Sequence, residues 1–498
     1  MKQLDKAFRH PGYAKETFSE MEQKTKASSR EQQLPWWQLS LLGVACTVGT
    51  GFFLGSAIAI GIGGPSVLFN YALAALGTYL VFDQLARMTA EQPLEGSFRS
   101  YAQKAYGRWA GFSSGWVYWS SELLIMGSQL TALSLFSRYW FPSVPMWCFA
   151  AGYGGLGLLV IVWGTKGFER LENTLAVMKL AALLMFLAIA GLALAGVISP
   201  DEHGASMPAQ WLPKGITALW SALIFSFYAF GGIEVIGLMT IRLRNPKDAP
   251  KAGKAMLGAL AVLYVLSIGF VLLLEPWTSY AANESPFIAS LAEYHLAFVP
   301  HVFNAVLIIA GFSTMTASLF AVTSIVVTMA KDHDAPAVFA RAAGKNGKKP
   351  VASIGLSAAG LTASVIFALF MPESVYEYLT TAAGIMLLYN WFFILATAWR
   401  RLPATPFTRT KQIAGMSLIA LAVAGTLFHS ISRPGFFISL GFTGVIGLLT
   451  LFMARRWKNR HGEPSTEQKL KRLHTEENSE ANEEQARKHR YGSKERAR

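Results

Sequence analysis

Residues 43–66, GVACTVGTGFFLGSAIAIGIGGPS, combine an apolar composition with seven glycines. Glycine in a helix interior costs about 1 kcal/mol relative to alanine, so this segment predicts an interrupted helix. Away from water, the backbone N–H and C=O groups released by an interruption need partners. N–H groups at the start of the resumed helix, which we expect near Gly51, suit a carboxylate because the helix dipole is positive there.

A second segment, FSFYAFGGIEVIGL at residues 225–238, places Gly231 and Gly232 in the middle of another apolar run, with Glu234 beside them. Interrupted helices at corresponding positions of two halves indicate the binding site of a transporter. Carbonyls around Phe230 to Gly232 suit an ammonium group. We therefore expect the two interruptions to bind a zwitterion, of which an α-amino acid is the simplest. The alternative is that the glycines only allow close helix packing.

Two charged residues lie inside apolar segments, Lys179 and Glu122. Lys179 lies eight residues beyond Leu171, or about 12 Å along a helix. A lysine at that depth is costly unless it is paired or hydrated, so we predict that it carries a coupling proton. The alternative is that its side chain extends to the cytoplasmic face. Glu122 either shares that proton, contacts the substrate, or is protonated and hydrogen-bonded to Ser120, Ser121 or Gln129.

Hydroxyl and aromatic side chains in other spans are weaker candidates. Ser313 and Thr316 are expected to face the buried lysine, although hydroxyls also join helices. The aromatic residues Tyr228, Phe230 and Trp391 either line the pocket or its gate, or pack between helices.

The composition defines the elements that must position these groups. Hydrophobic residues make up 52% and charged residues 15% of the 498 residues, against roughly 25% charged residues in soluble proteins. Twelve apolar segments are long enough to span a bilayer, at residues 36–60, 64–88, 109–140, 144–164, 171–198, 214–241, 254–275, 300–330, 351–371, 374–399, 410–430 and 435–455. They lack the alternation of barrel strands, so we predict an all-α integral membrane protein.

The basic residues predict the orientation. With the N-terminus inside, the inner loops carry twenty lysines and arginines and the outer loops three, so both termini are predicted to be cytoplasmic. This orientation accounts for the net charge of +14 without a nucleic-acid partner. We expect a cytoplasmic arm over 1–35, a transporter domain over 36–455 and a charged, disordered tail over 456–498. The first span lacks a cleavage site and is interpreted as a true span.

No constellation for enzymatic chemistry is present in the sequence. Cys46 and Cys148 both fall in apolar segments and are interpreted as packing residues, and the nine histidines lack metal-ligand spacing. The glycine patterns also lack the context of a phosphate-binding loop. We therefore expect neither a metal nor a cofactor, and no enzyme activity.

At four places in the right order the sequence resembles the amino acid permeases of the amino acid–polyamine–organocation superfamily. The matching stretches are GTGFFLGSAIAIGIGGPS, PLEGSFRSYAQKAYGRWAGFSSGWVYW, FYAFGGIEVIG followed by NPKDAPKA, and MAKDHDAPAVF. The resemblance implies twelve transmembrane helices, ten of them in a five-plus-five inverted repeat as in the leucine-transporter fold, with discontinuous helices 1 and 6.

The resemblance also assigns roles to particular residues. The carboxylate-binding stretch of helix 1 corresponds to Thr47, Val48, Gly49, Thr50 and Gly51, and the amine-binding break of helix 6 to Ala229, Phe230, Gly231 and Gly232. Glu234 corresponds to a gating glutamate. Lys179 corresponds to a lysine that replaces the sodium ion of sodium-coupled relatives, which implies coupling to H⁺.

The inner ends of the helices depart from the family pattern. A basic-then-acidic pair in helix 2 is reversed to Asp83 and Arg87, the acid after helix 6 is Arg242, and the arginine late in helix 8 is Ser324. We predict that Asp83 binds both Arg87 and Arg242 and so closes an inner gate. The alternative is a local pair one helical turn apart beside independently solvated arginines.

These observations predict a permease of the cytoplasmic membrane that works by alternating access, as a proton symporter of a neutral amino acid. Few acids are visible in the apolar segments, which argues against basic substrates. Three alternatives remain: an amino acid exchanger, an amino acid sensor with the same fold that does not transport, and a channel.

Overall fold

The structure is a computed structural model that describes residues 34–198, 207–294, 298–341, 350–370, 375–403 and 405–460. The predicted arm and tail lie, except for their inner ends, outside the described residues. Two compact units meet at Ile446 and Gly447. The groups discussed below all belong to the first unit, and the described part of the second unit is the C-terminal part of the last helix.

Within these ranges the regular structure is almost entirely helical, with one isolated parallel bridge between Leu34 and Leu243. We number the helices α1 (Trp36–Thr47), α2 (Thr50–Phe53), α3 (Gly55–Gly63), α4 (Val67–Glu91), α5 (Phe98–Tyr106), α6 (Arg108–Arg138), α7 (Met146–Trp163), α8 (Thr165–Leu194), α9 (Gly215–Tyr228), α10 (Ile233–Met239), α11 (Ala249–Leu274), α12 (Pro286–Ala289), α13 (Val299–Lys331), α14 (Val351–Phe370), α15 (Val375–Arg401), α16 (Pro406–Gly425) and α17 (Arg433–Arg460).

Nine helical segments of the described residues are long and apolar enough to cross a membrane. This finding agrees with the predicted all-α membrane class, whereas the number of twelve spans and the inverted repeat remain predictions. The long helices α6 and α13 pack against each other, and α6 also packs against α15. Helix α8 packs against α1, α11 and α13, so it lies beside the first interrupted segment.

Two of the apolar segments are interrupted. The first helix ends at Thr47, the backbone is extended at Val48 and Gly49, and helix resumes at Thr50. The other interruption separates α9 from α10 between Tyr228 and Ile233. The structure therefore places both interruptions where the glycine-rich sequences lie, and the first resumption comes one residue earlier than Gly51.

Candidate functional site

The two interruptions lie against each other because glycine allows a close approach of their backbones. Gly232 has a φ of +111°, and a Cβ there would lie 2.5 Å from the carbonyl oxygen of Cys46. A Cβ on Gly49 would lie 2.4 Å from the Cγ2 atom of Thr314 on α13. A larger side chain at either position would separate the two breaks or push the first one away from α13.

A small cavity lies between the two breaks, with a volume of about 30 Å³. It is lined by Cys46, Thr47, Gly49, Thr50, Gly51, Glu122, Ile125, Gln129, Tyr228, Gly231, Gly232, Val235, Thr314, Ala317 and Ser318. A cavity of this size holds at most a few water molecules. An amino acid therefore fits only after the lining moves apart.

Most of the residues predicted to bind substrate line this cavity, but three do not. Val48, Ala229 and Phe230 lie outside its lining. The Tyr264 hydroxyl donates to the Ala229 carbonyl at 3.2 Å, and the rings of Phe230 and Tyr264 pack with centroids 5.0 Å apart. The carbonyl of Ala229 and the side chain of Phe230 thus serve the packing of α11 against the second break.

Several polar atoms of the cavity lining have no hydrogen-bond partner within the described residues. They are the Oγ1 atoms of Thr47 and Thr50 and the Oε1 atom of Gln129. Buried polar atoms normally find partners, so these atoms are available to a ligand or a water molecule in the cavity. Tyr228, by contrast, is fixed by a 2.7 Å hydrogen bond between its hydroxyl and that of Ser128.

Glu122 and Glu234 occupy different places around this site. Glu122 is buried on α6, lines the cavity, and lies beside Tyr118 and Ser318. Neither Ser120, Ser121 nor Gln129 is its neighbour in the described contacts, so the hydrogen bonds expected from sequence are replaced by contacts to other side chains. Contact with the substrate and a shared proton with Lys179 both remain predictions for Glu122.

Glu234 lies in the first turn of α10, outside the cavity lining. Its Oε2 atom accepts a 3.0 Å hydrogen bond from the N–H of Gly232, which helps to hold the second break in its conformation. The other carboxylate oxygen has no partner among the described residues. A carboxylate at a helix N-terminus is favoured by the helix dipole.

A second buried polar cluster lies behind the first break. Lys179 is fully buried and its Nζ donates to the carbonyl oxygen of Ala45, two residues before Thr47. Seven residues earlier on α8, on the same helix face, lies Glu172, which is also fully buried and interacts electrostatically with the lysine. The alternative interpretation, in which the side chain of Lys179 extends to the cytoplasmic face, is therefore wrong.

The hydroxyls of α13 bind the glutamate of this cluster. Ser313 donates to Oε2 of Glu172, and Thr316 donates to its Oε1 at 2.6 Å. We expected both hydroxyls to face Lys179. Their hydrogen-bond acceptor in the structure is instead the carboxylate of Glu172. Glu172 was missed in the sequence, although its seven-residue spacing from the lysine could have revealed it.

The inner ends of the helices pair differently from the sequence prediction. Asp83 accepts from Arg87 at 3.1 Å and from Lys411 of α16 at 3.3 Å. Arg242 pairs instead with Glu169 near the start of α8. The predicted Asp83–Arg242 pair is therefore wrong, because Asp83 lies on the face of α4 that packs against α16, whereas the end of the second broken segment lies beside α8.

A buried ionic cluster that the sequence reasoning did not anticipate joins α5 to the end of α13. The guanidinium of Arg99, itself fully buried, binds Asp332 and Asp334 at 2.5 Å each, and Arg108 binds Asp334 at 2.7 Å. The two acids of KDHDAP, close to many inner basic residues in sequence, are the signal that could have indicated it.

The remaining predicted aromatic residue does not reach the cavity. Trp391 is fully buried, lies outside the cavity lining, and packs against Phe227 with ring centroids 6.2 Å apart. Of the two cysteines, Cys46 lines the cavity and Cys148 is half-buried on α7.

Interrupted helices that meet around a cavity, in a helical protein with several apolar spans, define a membrane transporter. The family model for amino acid permeases matches residues 38–455. The chain belongs to the amino acid permease family.

Relatives extend over most of the chain. It is 52% identical over 436 residues to an uncharacterized transporter of Bacillus subtilis (strain 168), YcgH, with 87% of this chain and 97% of the relative covered. It is 30% identical over 419 residues to the aromatic amino acid transport protein AroP of Salmonella typhimurium (strain SL1344), covering 81% and 90%. AroP of Escherichia coli (strain K12) is 30% identical over 382 residues, covering 76% and 82%.

Proposed function

We propose that the protein is a proton-coupled importer of neutral α-amino acids in the cell membrane. The observation that carries this proposal is the cavity between the two breaks, with its unpartnered polar atoms. Membership of the amino acid permease family supports the transport of amino acids. Proton coupling and the neutral substrate are the parts that the experiments below must test.

The substrate carboxylate is proposed to bind at the first break. Backbone N–H groups at Thr50 and Gly51 begin the resumed helix, and the hydroxyls of Thr47 and Thr50 have no other partner among the described residues. Hydrogen bonds to a charged group are worth about 1.5–3 kcal/mol each. The ammonium group is proposed to bind on the opposite side, between the second break at Gly231 and the Glu122 carboxylate.

The side chain of the substrate is proposed to contact the apolar part of the lining, formed by Ile125, Val235 and Ala317. These residues favour a neutral side chain. Aromatic amino acids are the first substrates to test, because AroP, a relative at 30% identity, is named for their transport. A basic substrate would instead place its second cation near Glu122, so lysine belongs in the same panel.

Proton coupling is proposed to act through Lys179. The protonated side chain binds the carbonyl of Ala45, one residue from Cys46 in the cavity lining. When the ammonium gives up its proton, its charge no longer holds the end of α1, and the first break is free to rearrange. Protonation of Lys179 and occupancy of the cavity are thereby linked through the same backbone segment.

Uptake of a labelled amino acid panel into proteoliposomes, with and without an inward proton gradient, tests the proposed function. Neutral amino acids should accumulate only when the gradient is present. Uptake that requires internal amino acid and ignores the gradient would identify an exchanger. Binding without uptake of any panel member would identify a sensor, and either result would overturn the symport proposal.

Lys179→Ala tests the coupling residue separately. This variant should still bind substrate, but its gradient-driven accumulation should fall by at least about tenfold. A tenfold fall corresponds to a loss of only about 1.4 kcal/mol of coupling free energy between proton and substrate. Lys104→Ala, which removes an exposed lysine of α5, is the matched control and should transport normally. Unchanged pH dependence of transport in Lys179→Ala would rule out the role proposed for this lysine.

A further inference from the structure

A groove with a volume of about 460 Å³ lies on the outer side of the contact between α1 and α8, away from the substrate cavity. Trp37 and Leu41 line it from α1, and Val177 and Met178 line it from α8. The exposed fractions of Trp37, Val177 and Met178 are 53%, 56% and 41%. The two helices therefore contact each other on the sides that face the protein core, and an open apolar groove lies between their exposed sides.

The groove becomes polar toward one end. Asn173 and Thr174 continue the lining of α8, and the Thr174 hydroxyl donates to the carbonyl of Arg170 at 3.0 Å. Arg170 is exposed and lies one helical turn before these two residues, on the same side of α8. The groove thus has a hydrogen-bonding end and an apolar body, and Arg170 lies beyond its lining, one helical turn from the polar end.

The sequence predicts that the polar end lies near the lipid headgroups of the inner leaflet. Trp37 is the second residue of the first span, and tryptophans at span ends mark the membrane–water interface. The ammonium of Lys251 makes a cation–π contact with the neighbouring Trp36 ring, 4.2 Å from the ring centroid. Arg170, near the start of α8, and Lys251, near the start of α11, are among the basic residues that the positive-inside rule predicts to face the cytoplasm.

We propose that this groove binds an anionic phospholipid of the inner leaflet. The phosphate group binds Arg170 and the polar side chains of Asn173 and Thr174, and one acyl chain lies between Leu41 and Met178. Basic pockets between transmembrane helices on the cytoplasmic side bind anionic headgroups. A second copy of this chain is a poorer occupant, because it would bring the same positive charges to the groove.

Such a lipid would bridge the two helices that form the buried lysine contact. Met178 directly precedes Lys179, and Leu41 lies one helical turn before Ala45, the acceptor of the lysine. A lipid that contacts both helices stabilises the arrangement in which this hydrogen bond forms. The proposal therefore connects the lipid composition of the membrane with the position of the half-helix before the first break.

Fluorescence quenching by lipids brominated in their acyl chains tests the proposal without relying on transport. The quenching of wild-type protein minus that of Trp37→Phe reports contact of lipid with Trp37. In mixed vesicles, brominated phosphatidylglycerol should reach half-maximal quenching at an about fivefold lower mole fraction than brominated phosphatidylcholine, the effect of one basic residue at the membrane surface.

Two variants locate the headgroup site. Arg170→Gln should abolish the preference for phosphatidylglycerol, and the matched control Arg341→Gln, which removes another exposed arginine of the inner loops, should keep it. Equal quenching by the two lipids in wild-type protein would overturn the proposal, and this comparison needs no variant to fold. A loss of preference in both variants would assign the effect to diffuse surface charge. Quenching that falls as protein density rises would identify a second copy as the occupant.

Discussion

The cavity and the lysine–glutamate cluster behind it are both buried and polar, but they differ in how their polar atoms are satisfied. In the cavity, the hydroxyls of Thr47 and Thr50 have no partner among the described residues. In the cluster, Lys179 binds the Ala45 carbonyl, and both carboxylate oxygens of Glu172 accept hydroxyl hydrogen bonds. The described residues leave hydroxyls of the first region without a partner, whereas they provide partners for the charged groups of the second.

Because of this difference, we expect the cavity hydroxyls to contribute to substrate affinity and the charged cluster to contribute to folding stability. An unpartnered hydroxyl adds little to the folded state without ligand, but it contributes when a ligand supplies the missing partner. A buried charge that loses its partner, by contrast, destabilises the fold itself. Substitutions in the two regions should therefore change different measured quantities, and the following predictions test that expectation in order of expected size.

Glu172→Leu should produce the largest effect, because it leaves the Lys179 charge buried without its carboxylate. We expect a loss of about 3–5 kcal/mol of folding stability, seen as a lower midpoint of thermal unfolding in detergent, together with loss of proton-driven uptake. The double variant Glu172→Leu/Lys179→Leu should recover most of the stability but not the uptake.

Glu284→Leu, at an exposed loop residue, is the control for Glu172→Leu and should leave the unfolding midpoint unchanged. A double variant as unstable as Glu172→Leu alone would show that the two charges do not stabilise each other. It would also remove the contrast between the cluster and the cavity.

Thr50→Val should produce an intermediate effect on binding and almost none on stability. The hydroxyl has no partner in the described structure, so its removal costs the empty protein little. If the hydroxyl binds the substrate carboxylate, affinity should fall by about 10- to 100-fold, as expected for a hydrogen bond to a charged group. Scintillation proximity or calorimetric binding measures the change.

Thr362→Val, which alters an exposed hydroxyl that bonds within α14, is the matched control and should bind substrate normally. A large drop in the unfolding midpoint of Thr50→Val with unchanged substrate affinity would contradict the proposal that this hydroxyl binds substrate. The hydroxyl would then be a structural group, like the hydroxyls around Glu172.

The smallest effect is expected at the inner ends of the helices, where the ion pairs are partly exposed. Arg242→Glu should be repaired by Glu169→Arg and not by Asp83→Arg, because Arg242 pairs with Glu169. Partly exposed pairs are worth about 0–1 kcal/mol, so the single change should lower transport or stability only slightly. A double-mutant cycle on the transport rate measures the coupling, and rescue by Asp83→Arg would restore the pairing predicted from sequence.

The sequence alone determined the class of the protein and the positions of its two interrupted segments. Hydropathy and glycine content act locally, so the apolar spans and the interruptions at Gly49 and Gly232 could be predicted without knowing which helices are neighbours. The fully buried position of Lys179 followed in the same way, from its depth within an apolar run.

Only the tertiary structure decided which groups pair across helices. Lys411 rather than Arg242 reaches Asp83, and the hydroxyls of α13 bind Glu172 rather than Lys179. The partner of a side chain depends on which helix packs against the face that carries it. Residues more than 300 positions apart, such as Asp83 and Lys411, can therefore form a pair. The spacing along one chain does not specify that choice, because the energy of a contact depends on distance in space and on the surrounding burial.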